Sequence, residues 1–196
     1  MRERGAHAVG SLRGARAFRV THRDLDARRE PALRARDLVG RQLPTITLIS
    51  YMGKPVELPH AGARGLVIYT YPDADSSPDG AEWSMAADAA QHRAFDTALA
   101  ELQACSLLAV GLSSEPPEVQ RERALDHRVC HPLWSDPELL LARALGLPTF
   151  RHAGVGRYRR LMLVARDRQI IKAFFPVEDA RRCAAQVIYW ARAVGR

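Results

Sequence analysis

Lysine, cysteine and long apolar runs are all scarce in this chain of 196 residues. Lysine occurs twice against 27 arginines, a bias of a GC-rich genome more than of a mechanism. No stretch of about 18 apolar residues exists, so no membrane-crossing helix is expected. The N-terminus has no apolar core of a secretory signal. The three cysteines, Cys105, Cys130 and Cys183, form no CxxC and no paired spacing, which points to a reducing compartment, the cytoplasm, without disulfides. No HExxH, GxSxG or Gly-rich phosphate loop appears, so zinc-protease, serine-hydrolase and nucleotide-cradle chemistry have no sequence support. Neither a metal nor a cofactor is expected. Cys130, His131 and His127 could be combined into a metal site only if adjacent residues ligated one ion, which is rare.

The net charge of +7 is unevenly placed. Residues 1–41 hold eleven arginines and five acids, or +6, which leaves +1 for the rest. The basicity belongs to a terminal extension, residues 1–37, and not to a groove on the domain of residues 38–196. Nucleic acid is therefore not an expected partner of the domain; a solvated tail accounts for the charge. Within that extension Asp24–Leu38 has a weak helical pattern interrupted by Pro31.

Beyond it the apolar pattern alternates between strand and helix periods. Thr45–Ile49 and Pro55–Leu58 flank a Gly53 turn and predict a hairpin. Leu66–Tyr71 is a continuous apolar run, as in a strand buried on both faces, and enters a turn-rich loop from Asp73 to Gly80. Ser84–Gln103 has Met85, Ala89, His92, Phe95, Leu99 and Leu102 at helical spacing. Leu107–Leu112 predicts a second buried strand, in which Cys105 at the start of the run acts as a small hydrophobe. Ser114 caps a helix carrying Pro116 and Pro117; His131–Trp134 is extended; Ser135–Gly146 is a capped helix. Arg160–Ala165 and Ile170–Phe175 form a hairpin, and Glu178–Val194 a last helix. βαβ units with right-handed crossovers give a parallel centre, and the closing hairpin adds an antiparallel side. The expected class is α/β: a thioredoxin-like mixed sheet with helices on both faces.

Four stretches in this order resemble the peroxiredoxin family, in particular its bacterioferritin-comigratory, PrxQ-like branch. They are Leu38–Leu48, the Leu66–Pro72 strand and loop, Val110–Ser113 with Pro132–Pro137, and Arg159–Val164. The resemblance implies the thioredoxin-type fold, a homodimer, and a thiolate at a helix start, held by backbone N–H groups and an arginine, that attacks a peroxide. Arg160 matches the family's arginine, and Tyr71-Pro72 its strand exit. The cysteine has no counterpart: counting back from Phe95 places its position near Asp88, counting forward from Pro72 near Gly80, and Asp73–Ala104 holds no cysteine. A carboxylate or glycine cannot form a sulfenic acid, so the family's peroxidase cycle is not expected.

What remains is a pocket expected to act on a small organic molecule, in specialised metabolism if the source is bacterial. Asp88 and His92, four apart on one helix face, predict a carboxylate-oriented imidazole, or else a solvated pair. Tyr71 and Arg160 complete the working groups, and Asp73, Asp75, Trp83 and Ser84 the substrate-contacting ones. Arg160 would bind a substrate carboxylate, or pair with Asp88 or Glu82. Ser84 as a nucleophile has no oriented base beside it. Two alternatives stay open. One is a non-catalytic binding or dimer-forming protein whose tail engages a partner. The other is an atypical peroxidase using Cys130, which His131 would assist.

Overall fold

The structure, a computed structural model, describes residues 36–58, 64–73 and 84–194. The predicted tail helix up to residue 35, Asp75 and Trp83 lie outside them. A seven-stranded mixed sheet organises the described residues, in the order β2-β1-β5-β4-β3-β8-β9. Its parallel centre is β3 (Gly65–Thr70), β4 (Leu108–Ser113) and β5 (Leu133–Ser135). The hairpin β1 (Ile46–Ser50) and β2 (Pro55–Leu58) adds antiparallel to β5, and the hairpin β8 (Leu161–Arg166) and β9 (Gln169–Phe174) adds antiparallel to β3. This is the mixed sheet the apolar pattern predicts.

Every residue of β3 is buried, so alternate side chains feed two cores. On one face Ile68, Val110, Leu112 and Leu163 pack against α4 (Leu140–Leu145). On the other, Val67, Tyr69, Ala109, Met162 and Val164 meet Phe95 of α1 (Met85–Thr97), Leu102 of α2 (Leu99–Ala104), Ala124 of α3 (Pro117–His127) and Val187 of α5 (Cys183–Val194). The second face carries the ionisable groups discussed below.

Five local expectations change, one of them the helix expected over Ser135–Gly146, which runs only from Leu140 to Leu145 because Ser135 ends β5. The single helix from Ser84 to Gln103 is two, because at Ala98 the N–H turns to the carbonyls of Asp96 and Phe95 and tightens the turn; Leu102 then reaches the core beside Leu107. Ser114 does not cap α3: Pro116 holds the cap position and Pro117, whose φ suits a first helical turn, starts it. Cys105 is only half-buried. A two-stranded hairpin, β6 (Thr149–His152) with β7 (Val155–Tyr158), also goes unpredicted. Its turn, Ala153-Gly154, has positive φ at both positions (47° and 81°), and alanine is a poor marker for that geometry.

α4 is short and depends on Asp136. Its carboxylate accepts the N–H groups of Leu140 (2.8 Å) and Leu141 (2.9 Å) and the Tyr158 hydroxyl (2.5 Å). Removing it strands two helix donors and a buried phenol, so Asp136→Ala should cost about 2–4 kcal/mol, read from the urea midpoint, with Tyr158→Phe costing less. A Cβ on Gly111 would lie 2.7 Å from the Tyr69 hydroxyl and 2.6 Å from Leu133. Gly111→Ala should therefore displace Tyr69 and lower stability by about 1–3 kcal/mol, measured in the same way.

Candidate functional site

The site lies at the carboxyl end of β3, where the chain leaves the sheet through Tyr71, Pro72 and Asp73. Thr70 sets its far side. The Thr70 hydroxyl donates to the Arg159 carbonyl (2.6 Å) and accepts the Leu161 N–H (3.0 Å), so Arg160 is held between two fixed peptide groups. Its guanidinium is buried against α1, with Nη2 2.6 Å from Asp88 Oδ1 and Nη1 on the Gln91 side-chain carbonyl. The other Asp88 oxygen accepts the Asp73 N–H (3.0 Å). Asp73 adopts a positive φ of 51°, which aspartate tolerates better than most residues, and its own carboxylate pairs with Arg123 of α3.

Asp88 is therefore an internal anion, at the first turn of α1, taking one backbone N–H and one guanidinium. Burial disfavours its charge and Arg160 favours it; burial wins, and the carboxyl is pushed up to about 6. Of the options for Arg160, the one seen is the pair with Asp88, and Asp88 and His92, 2% and 3% exposed, are not a solvated pair.

The imidazole expectation also changes. His92 shares the Asp88 helix face, but its Nδ1 is 2.7 Å from the Tyr69 hydroxyl. The carboxylate-oriented imidazole is His131, with Nδ1 2.6 Å from Asp96 Oδ1 and Nε2 on the same Tyr69 hydroxyl. Burial, with His131, His127 and Arg160 nearby, lowers His92 to about 3. Tyr71 is buried edge-on to His92, with ring centres 4.6 Å apart; burial raises its pKa, and a hydrogen bond with Ser113 works against the rise. Neither Tyr69 nor Asp96 was legible as a site residue, and His131 was read only as a helper of Cys130 or a metal ligand. Tyr69 stands on β3, Asp96 on α1 and His131 in the connection before β5, and no spacing links them.

Ser84 is the N-cap of α1, its hydroxyl accepting the Ala87 N–H (3.2 Å). It also lines, with Ala87, Ala90, Arg160, Val177 and Arg181, a cavity of about 320 Å³. Such a volume suits a small organic molecule.

Cys130 is exposed, but it lies three residues before β5 and lines a cavity with Gly65 and Leu108, at the amino end of the parallel strands. It shares a cavity with His131, yet the His131 ring turns inward to Tyr69 and does not serve the thiol. The thiol that feels Arg160 is Cys183, the first residue of α5, hydrogen-bonded with Gln91 and fully buried; burial pushes it up to about 12. Among the described residues no group of three or more His, Cys, Asp or Glu side chains is arranged to hold a metal ion.

No protein-family model and no curated protein matches the chain. Solved structures do. Peroxidoxin BcpB from Mycobacterium tuberculosis superposes with a TM-score of 0.67 at 21% identity, covering 80% of this chain and 97% of that one. The bacterioferritin comigratory protein of Xanthomonas campestris, described for alkyl peroxide reduction, gives 0.63 at 22%, covering 77% and 92%. A cysteine-to-serine variant of Xylella fastidiosa PrxQ gives 0.67 at 18%, covering 81% and 97%.

Two outcomes test the site. Removing Arg160 leaves a buried carboxylate unpaired, so Arg160→Ala should lose about 3–5 kcal/mol and raise the Asp88 pKa further, seen by carboxyl-carbon NMR; simple loss of function without destabilisation, the outcome expected of a solvated Arg160, is not anticipated. Because the folded pKa of Asp88 lies above its unfolded value, its contribution to stability is complete below about 3.8 and is lost as pH rises through about 6. The stability of Asp88→Asn relative to the unaltered protein should accordingly rise between pH 4 and pH 7 in chemical denaturation. Strand order, helix placement and these superpositions agree: this chain has the peroxiredoxin form of the thioredoxin-like fold.

Proposed function

We propose that this chain is a diverged peroxiredoxin that uses side-chain acid/base chemistry on a small organic substrate. One observation carries the reading: a carboxyl, Asp88, occupies the first turn of the helix after β3, stabilised as an anion by Arg160 and the Asp73 N–H, and ionises near neutrality. By resemblance that is where the family holds its thiolate. A group that titrates close to the working pH is suited to general acid/base catalysis. In this role Asp88 exchanges a proton with substrate bound in the adjoining cavity. Arg160 favours the charged form of Asp88 and, with Ser84, borders the substrate, while Tyr71 and His92 are buried behind the site as neutral groups. The same reading takes residues 1–37 as an Arg-rich extension of the domain 38–196 and the protein as a cytoplasmic homodimer; none of the described helices is long and apolar enough to cross a membrane.

A second reading, peroxide reduction by a relocated thiol, has two observations behind it: Cys130 is the exposed cysteine, and Cys183 lies within the field of Arg160. One set of measurements separates the readings. Small carboxylic and hydroxy acids are screened by ligand-observed NMR against the unaltered chain and Asp88→Asn, and peroxide consumption is followed with a dithiol reductant. The acid/base reading expects Asp88-dependent ligands, with affinity changing about tenfold across pH 5–7, and no peroxide turnover. Peroxide turnover that disappears in Cys130→Ser or Cys183→Ser would replace it with the thiol reading.

A further inference from the structure

The buried polar chain behind the site has one consistent arrangement of protons. Asp96 Oδ1 accepts the Cys130 N–H (2.9 Å), so that oxygen is an acceptor and His131 Nδ1, 2.6 Å from it, must donate. A neutral His131 then has a bare Nε2, and the Tyr69 hydroxyl must donate to it. Tyr69 has a single proton, so its oxygen accepts from His92, whose Nδ1 at 2.7 Å must carry the hydrogen. The lone pair left over is on His92 Nε2. One partly exposed carboxylate thereby dictates the tautomer of a ring three side chains away.

We propose that Asp96, His131, Tyr69 and His92 act as one acid/base unit, in which His92 Nε2 takes up a proton and the positive charge comes to rest on His131 beside Asp96. The step balances without any co-reactant. A proton binds His92 Nε2, the Nδ1 proton passes to the Tyr69 oxygen, the original Tyr69 proton passes to His131 Nε2, and no electrons move. The reverse shift returns the proton.

The surroundings favour that direction. Around His92 lie Tyr71 at the β3 exit, His127 of α3, His131, Arg160, and Asp88 one turn back on α1; the two other rings and the guanidinium repel a cation there. At His131 burial also opposes charge and lowers the pKa overall, yet here the Asp96 hydrogen bond and charge work against the fall, an opposing pull that His92 lacks. Tyr69 itself is buried, near Tyr71, Asp88, Asp96 and Cys183, and burial holds its pKa well above the usual phenol range, so it relays as a neutral hydroxyl. Phe95 stacks on the Tyr69 ring at 4.2 Å and Gly111 leaves room for its hydroxyl, so the central link is held in position. The Asp96 side chain is 18% exposed while that of His131 is fully buried, so the Asp96 end of the unit meets solvent and the His131 ring does not.

Use of this unit in turnover rests on the acid/base reading of the pocket, but its test needs no substrate. Long-range proton–nitrogen NMR of the histidine rings in the full chain should find both His92 and His131 as the Nδ1–H tautomer at pH 7.5. On acidification the imidazolium signature should appear at His131 before His92. Tyr69→Phe should release His92 to the Nε2–H form, and Asp96→Asn, at a partly exposed position, should lower the proton affinity of His131 at least tenfold. A His92 ring with hydrogen on Nε2 in the unaltered protein would overturn the proposal, as would a His92 tautomer unmoved by Tyr69→Phe or a His131 affinity unmoved by Asp96→Asn. Loss of the Asp88-dependent ligands with the tautomers as described would count against the pocket reading alone.

Discussion

Burying the Arg160 guanidinium between α1 and the sheet obliges the structure to supply an anion and a carbonyl, and Asp88 and Gln91 supply them. Much of the site follows from that pairing. Asp88 can reach Arg160 only if α1 begins at Ser84, and its second oxygen then draws in the Asp73 N–H, which sets the exit path of the chain from β3. Asp73 in turn engages Arg123 and ties α3 to the same corner. A charge that costs free energy to bury is thus linked through Asp88 and Asp73 to α1, the β3 exit and α3 in turn.

The helical face of the sheet is unusual in its chemistry more than in its shape. Tyr69 and Tyr71 leave β3 on one face, and His92 and Phe95 descend to meet them from α1. Such packing is ordinary for a core; the hydroxyl of Tyr69 makes it more than that, because it must find partners in a place without water. It finds two histidines, and only one of them has a carboxylate behind it. The asymmetry between Asp96 beside His131 and the cationic neighbours of His92 gives the chain of hydrogen bonds a direction.

Similarity to BcpB and PrxQ at about 20% identity establishes the arrangement of strands and helices and leaves chemistry open. The family resemblance implies chemistry at a thiolate. Here the stretch from Asp73 to Ala104 holds no cysteine, and the thiol nearest Arg160 is sealed inside α5 with its acidity suppressed. Next to the start of α1 the place of an anion is taken by Asp88, held by Arg160 and the Asp73 N–H.

Strand runs such as Leu66–Tyr71, the turn between the last two strands and the Gly146 helix stop could be read from residue order, because each is written in local periodicity or backbone preference. The Ala153-Gly154 hairpin could not, since alanine masks a left-handed turn, and the break at Ala98 depends on where Leu102 must pack. Asp88 and Arg160 were legible as candidates, but their mutual contact was one of several options for groups 72 positions apart. His92 was assigned the right helix face and the wrong partner. The sequence by itself determined the alternation of strand and helix and the absence of cysteine from Asp73 to Ala104. Only the tertiary structure decided which carboxylate meets which cation and which histidine shares Tyr69, because burial and partner choice for ionisable side chains are set by elements distant in the chain that converge on one face of the sheet.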